Sequence, residues 1–211
     1  MPTHELKRRA HEEFSGWADT YDSSLLNHFL FEPAHALMLG ELDKLKPARV
    51  LDIGCGTGKL AGRLTQRGIS VVGLDLCEPM VRQARGKLNG NGSRVGLAVG
   101  DSEHLPFAAG SFDAVTCSNS FHHYPNQPAV VHEMFRVLTS GGHLLVLDGL
   151  RDNFIGRIMY DVIITRVEGN VWHRDARSME EMMRTAGFHD IIQVRQGLSL
   201  FPLLLTRGTA P

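Results

Sequence analysis

The chain has little cysteine: Cys55, Cys77 and Cys117 are all it contains in 211 residues, and they never form a CxxC pair. So sparse and odd a set excludes a disulfide scaffold and points to reduced thiols. Net charge is nearly absent, at −1. No strong field exists to gather nucleic acid or an anionic membrane, and no nucleic-acid partner is expected. The run "HRDAR" at 173–177 is the one obvious basic cluster, and it reads as a solvated loop. No apolar run approaches the ~20 residues of a membrane span. The amino-terminal "MPTHELKRRAHEEF" is charged on every turn and has no apolar h-region, so no secretory leader is expected and the reading is cytoplasmic. Eleven histidines show no HExxH-type or other ligand spacing, so no metal is expected. Repeats and low-complexity tracts are also missing.

What is present is 43% hydrophobic residues, enough for one well-filled core in a single domain over 1–211. Short β-branched or apolar runs predict strands at 48–53, 70–75, 94–100, 112–117 and 143–148. Several lack polar alternation, as strands covered on both faces do. Helical stripes lie between them: Leu60, Ala61 and Leu64; then Met80, Val81, Ala84 and Leu88; then Val130, Val131, Met134, Val137 and Leu138. This alternation predicts an α/β fold with a doubly wound, Rossmann-like sheet and helices on both faces. Residues 4–45 read as helices broken near "TYDSS", with Ser23 or Ser24 as N-cap. A helical stretch is expected near 154–168 and a helix at 178–186 ending at Gly187. The tail runs "HDIIQVR" and "SLFPLLLT" read as a hairpin turning at Gly197, which would make the last strand antiparallel, with Pro202 at a bulge or exposed edge.

The stretch "VLDIGCGTGKL" (50–60) is tested against three ligands. A Walker phosphate loop requires glycine where Ile53 stands and a hydroxyl where Leu60 stands, and both ends fail. A dinucleotide fingerprint requires GxGxxG. Here Gly54, Gly56 and Gly58 follow GxGxG, with Lys59 in the third glycine's place, and Gly58 would loosen the turn. Asp52 precedes the first glycine at the strand end, where a carboxylate suits an ammonium group better than a pyrophosphate. Asp75 closes the second strand, 21 residues after Gly54, a spacing that suits a carboxylate accepting both ribose hydroxyls. A ligand carboxylate could sit near Thr57–Lys59. S-adenosylmethionine carries all three groups.

With "GLDLCEPMVRQAR", "GDSEHLPFAAGSFDAVTCSNSFHHYPN" and "MFRVLTSGGHLLVLD" following in order, the chain resembles the class I S-adenosylmethionine-dependent methyltransferases, near the ubiquinone/menaquinone-biosynthesis group. The likeness covers about residues 10–150 strongly and the tail loosely. It implies a seven-stranded, mostly parallel sheet with the last strand antiparallel. It implies that the backbone at Gly54, Cys55 and Gly56 faces the methionine portion and that Asp52 supports its amino group. Asp75 would hold the ribose, with Leu76 against the adenine, and Asp101 would accept from the adenine amine beside Ser102. Ser118 would lie near the methionine, and Tyr21 would close over the cofactor. Two departures are visible: Thr139-Ser140 where Lys-Pro is common, and Asn126 where an acid is often seen.

For methyl transfer the catalytic residues stay open. His122 and His123 follow the fourth strand, where an acceptor would sit, and are base candidates or pocket walls. Tyr160 and His173 are substrate-side candidates. So is Trp17, one of several aromatics (with Phe14, Phe29, Phe31, Phe154 and Trp172) that read equally as core. Cys55 and Cys117 read as small buried residues rather than nucleophiles. The division expected is a helical lid (1–45), a cofactor-binding core (46–150), a substrate-side insert (151–178) and a carboxy-terminal helix with hairpin (179–211). The function expected is methyl transfer to a small molecule. The rivals are an inactive S-adenosylmethionine-binding scaffold or sensor and a nicotinamide oxidoreductase.

Overall fold

Alternation along each strand decides the architecture. In β1 (Arg49–Ile53), Leu51 and Ile53 enter one buried cluster and Val50 enters another, on the opposite face. In β5 (Leu138–Gly149), Leu144 and Val146 join the first cluster while Leu145 and Leu147 join the second. Strands apolar on both faces need helices on both. The first cluster is closed by α5 (Gln127–Val137) and α8 (Ala176–Thr185), through Val130, Met134, Met179 and Met183. The second is closed by α2 (Leu25–Leu45) and α3 (Lys59–Thr65), through Met38, Leu42, Leu60 and Leu64.

This computed structural model describes residues 3–18, 22, 25–88, 95–152, 154–168, 171–196 and 201–211, with backbone alone for 25–30, 163–164 and 167–168. Tyr21, Ser23, Ser24 and Gly197 lie outside the described residues, as does the side chain of Phe29. One sheet has seven strands in the order β3-β2-β1-β4-β5-β7-β6. The other strands are β2 (Ser70–Asp75), β3 (Val95–Val99), β4 (Phe112–Ser118), β6 (His189–Gln196) and β7 (Leu203–Thr209). β3, β2, β1, β4 and β5 pair in parallel, and β7 runs antiparallel to both β5 and β6. The expected sheet is the one found, with one correction. Pro202 is neither a bulge nor an edge residue: β7 begins after it and is an interior strand. Its carbonyl accepts from the Leu150 amide and the Tyr160 hydroxyl, each at 2.8 Å.

The remaining helices are α1 (Thr3–Trp17), α4 (Glu78–Leu88), α6 (Phe154–Ile158) and α7 (Thr165–Glu168), with a π-helical turn over Met159–Ile164 between the last two. Asn126, the departure noted above, caps α5 by accepting from the Ala129 amide. Asp175 caps α8 at the Ser178 amide, 2.7 Å away. Among the described residues no helix is long and apolar enough to cross a membrane.

Candidate functional site

The carboxyl ends of β1, β2 and β4 converge on one cleft where the strand order reverses, the usual ligand position in such sheets. β1 leaves the sheet through Gly54, which has φ +68°. Its amide and that of Cys55 donate back to the Leu74 carbonyl at 2.8 and 3.1 Å, folding the loop onto β2. A Cβ on Gly54 would stand 2.6 Å from Ser120 Cβ and 2.8 Å from Tyr124 Oη, so glycine is required there. Gly58 does not loosen the turn as expected. At φ +78° it opens α3, and a Cβ there would press on Leu88 and Ala84 of α4, at 2.8 and 3.0 Å. It does the close-packing work that a dinucleotide loop assigns to its third glycine.

Three carboxylates face this loop. Asp52 is buried; its Oδ1 accepts from Thr116 Oγ1 at 2.9 Å, while its buried Oδ2 has no partner among the described residues. Burial pushes its pKa up to about 7; the Thr116 bond opposes this and the Asp75 charge adds to it. Asp75 accepts the amides of Gly56 and Cys77, both at 2.8 Å, and burial outweighs these bonds to raise its carboxyl. Burial also works to raise Asp101, but Lys7 at 2.7 Å and the Glu103 amide at 3.0 Å prevail and hold it below the usual range. Ser118 Oγ and Asn119 Nδ2 are, like Asp52 Oδ2, buried without a hydrogen-bond partner among the described residues. An unpaired acceptor beside unpaired donors suits a ligand carrying both charges, such as the methionine end of S-adenosylmethionine.

The structure brings Asp52, Gly54, Cys55, Gly56, Asp75, Leu76, Asp101, Ser102 and Ser118 onto this one wall, and His123 lines it too. Tyr21 lies outside the described residues. His122, Trp17, Tyr160 and His173 do not line the cleft. Trp17 packs edge-on against Phe14, which does line it. Tyr160 is buried behind the end of β5 and donates to the Pro202 carbonyl. His122 and His173 stack at 4.4 Å behind His123. Burial pushes His123 well below the ordinary imidazole range, with His122 adding to the effect. Burial likewise pushes the Cys55 thiol well up and that of Cys117 to about 12, which keeps both protonated.

Sequence reasoning missed several groups. Thr116 meets Asp52 because β1 and β4 pair those two residues in register. Lys7 reaches Asp101 and Glu103, 2.7 and 3.0 Å away, from α1. Asp22 takes a hydrogen bond from Thr57 (2.8 Å) and ion pairs with Lys59 (3.2 Å) and Lys87, fastening the chain over the glycine loop. Gln127, fully buried, donates to the carbonyls of Phe121 (3.0 Å) and Trp172 (2.8 Å), tying residues 171–175 to the segment after β4.

Residues 51–146 match the family described as a methyltransferase domain. A demethylmenaquinone methyltransferase of Thermus thermophilus is 41% identical over 48% of this chain and 47% of its own length. Methyltransferase GfsG of Streptomyces halstedii is 35% identical over 81% of this chain and 61% of its own. The chain thus spans about half the length of these curated relatives. Among solved structures, a Burkholderia thailandensis 1,6-didemethyltoxoflavin-N1-methyltransferase, with that compound and S-adenosylhomocysteine bound, shares the fold at TM-score 0.76. It is 18% identical, with 100% of this chain and 91% of that one covered. On its motifs, its sheet order and these likenesses, residues 51–146 carry a methyltransferase domain, and the chain is similar in sequence and fold to the class I S-adenosylmethionine-dependent methyltransferases.

Proposed function

We propose that the protein transfers a methyl group from S-adenosylmethionine to a small-molecule acceptor. The observation that carries this reading is Asp52 Oδ2, a buried carboxylate oxygen without a partner among the described residues, at the mouth of the glycine loop. In this reading Asp52 takes the ammonium group of the donor and Asp75 its ribose hydroxyls. Asp101 and Ser102 take the adenine edge, Leu76 packs on the ring, and the backbone at Gly54–Gly56, with Ser118, borders the methionine. Bound there, S-adenosylmethionine would supply an electrophilic methyl carbon on a sulfonium whose leaving group is a neutral thioether.

The chain's own contribution is positioning and exclusion of water. Helix α1 lays Ala10, His11 and Phe14 along the open side of the cleft, and Phe14 meets His123 edge-on at 4.9 Å. These groups form the wall against which the acceptor is held. Residues 1–45 act as the lid and 151–178 as the acceptor-side segment. A small acceptor is supported by the curated relatives and the solved neighbour, named for demethylmenaquinone and 1,6-didemethyltoxoflavin.

Calorimetric titration with S-adenosylmethionine, S-adenosylhomocysteine and NAD tests the reading. Binding of the first two but not NAD is expected. NAD binding without S-adenosylhomocysteine binding would replace it with an oxidoreductase. A metabolite library screened for S-adenosylhomocysteine release then finds the acceptor. Donor binding with no release against any acceptor would favour an inactive binding scaffold.

A further inference from the structure

Behind the cleft wall, two imidazoles remote in sequence converge on one carboxylate oxygen. Asp148, at the end of β5, accepts from His122 Nδ1 at 2.6 Å and from the Gly149 amide at 2.7 Å through Oδ1, and from the His122 amide at 2.9 Å through Oδ2. His173 Nδ1 points at the same Oδ1 from 3.7 Å, too far for a hydrogen bond. The His173 side chain is only 3% exposed, and neither ring nitrogen has a hydrogen-bond partner among the described residues. An imidazole buried this way is costly unless something else satisfies it. The rings of His122 and His173 lie 4.4 Å apart and 29° from parallel, so both present Nδ1 towards Asp148. One donor atom from each of the three residues lies within 4.8 Å of the other two.

We propose that His122, Asp148 and His173 form a binding site for a divalent transition-metal ion. Two imidazoles and one carboxylate suit zinc, cobalt or iron(II), whereas magnesium and calcium favour all-oxygen shells. Ligands about 2.0–2.2 Å from a tetrahedral ion stand roughly 3.3–3.5 Å from one another. The observed 2.6 and 3.7 Å straddle that separation. A small opening of the His122–Asp148 pair and a small approach of His173 would therefore admit the ion. Its entry replaces the hydrogen bond between His122 Nδ1 and Asp148, with the His122 ring then binding through Nδ1. It would also satisfy the otherwise unpaired His173.

Three protein donors leave a coordination position for water or another oxygen ligand. The ion would join the end of β4, the end of β5 and the 171–175 segment, beside the cleft-lining His123. Neighbouring groups prepare the place. The Trp172 amide donates to the His122 carbonyl at 2.7 Å, and the Tyr160 ring covers His173 at 4.9 Å. Linear spacing gave no sign of such a site, because its three residues stand at 122, 148 and 173 and meet only through the sheet.

The test uses the full chain, untagged, stripped with a chelator and titrated with cobalt(II), then zinc(II). One equivalent of cobalt should bind with the visible absorption of a tetrahedral site and be displaced by zinc. His173→Gln should weaken this binding at least tenfold, with S-adenosylhomocysteine affinity unchanged. Circular dichroism checks that the variant folds. The wild-type titration stands alone if it does not. Absence of stoichiometric binding by the wild type would overturn the site and leave a buried His122–Asp148 hydrogen bond. So would full binding by a folded His173→Gln variant. Both readouts use the ion and the protein alone, so neither depends on the methyl-transfer reading.

Discussion

Asp52 and Asp148 hold matching positions near the carboxyl ends of two strands separated by β4, one in β1 just before its glycine loop and the other in β5. Both are at most 9% exposed. They nevertheless stand in opposite electrostatic states. Asp52 has one hydroxyl donor and an oxygen with no partner among the described residues, and burial lifts its pKa to about 7. Burial works the same way on Asp148, but the His122 charge and hydrogen bond, with His173, hold its carboxyl well below the usual range. Burial alone therefore does not decide what a carboxylate becomes. Asp148 has its donors inside the protein, and Asp52 is left to find a cation outside it.

The contrast can be broken most severely at Asp148. Asp148→Ala strands three buried donors and should destabilise the fold by about 3–5 kcal/mol, read from denaturant midpoints. Asp52→Asn should cost little or raise stability near pH 8. Equal losses in the two variants would erase the distinction. On the donor side, Gly54→Ala combines a left-handed φ with collisions at Ser120 and Tyr124. A loss of roughly 2–4 kcal/mol in stability is expected, with donor binding abolished in calorimetry. Asp75→Ala should weaken S-adenosylhomocysteine by about 1.5–3 kcal/mol while the fold survives. Unchanged affinity would remove Asp75 from the site.

The smallest effect is in pH. The folded pKa of Asp52 lies above its unfolded value, so its proton stabilises the empty protein at low pH, and that contribution fades as pH rises through about 7. Donor affinity should move the other way, because an ammonium group needs the ionised carboxylate. It should rise by at most about tenfold per pH unit up to near pH 7. Asp52→Asn should flatten the profile, which isolates Asp52 from Asp75. A wild-type profile already parallel to that of the variant would sink the assignment.

Asp52, Asp75 and Asp101 were legible because each sits beside a strand end or glycine loop, and local spacing carries that information. The sheet was legible for a similar reason: apolar runs without alternation require helices on both faces. The tail hairpin was legible in direction but not in position, since Pro202 looked like a strand residue and is the residue before one. Asp148 also ends an apolar run in "HLLVLD", yet its partners lie 26 and 25 residues away in the chain. Thr116 depends on the register between β1 and β4, and Lys7 on where α1 lies. Gly58 was misjudged because its reason is Ala84 and Leu88, on a helix that sequence adjacency does not connect to it. Contacts set by tertiary packing leave no local trace.

Helix α1 lines the cleft, yet it buries none of its own residues, and its grip includes the Lys7 pairs with Asp101 and Glu103. Partly exposed ion pairs are worth about 0–1 kcal/mol each and weaken with salt. Lifting α1 is therefore a local event, far cheaper than opening the sheet beneath it. The floor of the cleft belongs to the sheet, whereas its cover is held by few contacts of its own. An α1 that opens on its own leaves the scaffold folded, and salt, by weakening the Lys7 pairs, should make that opening easier.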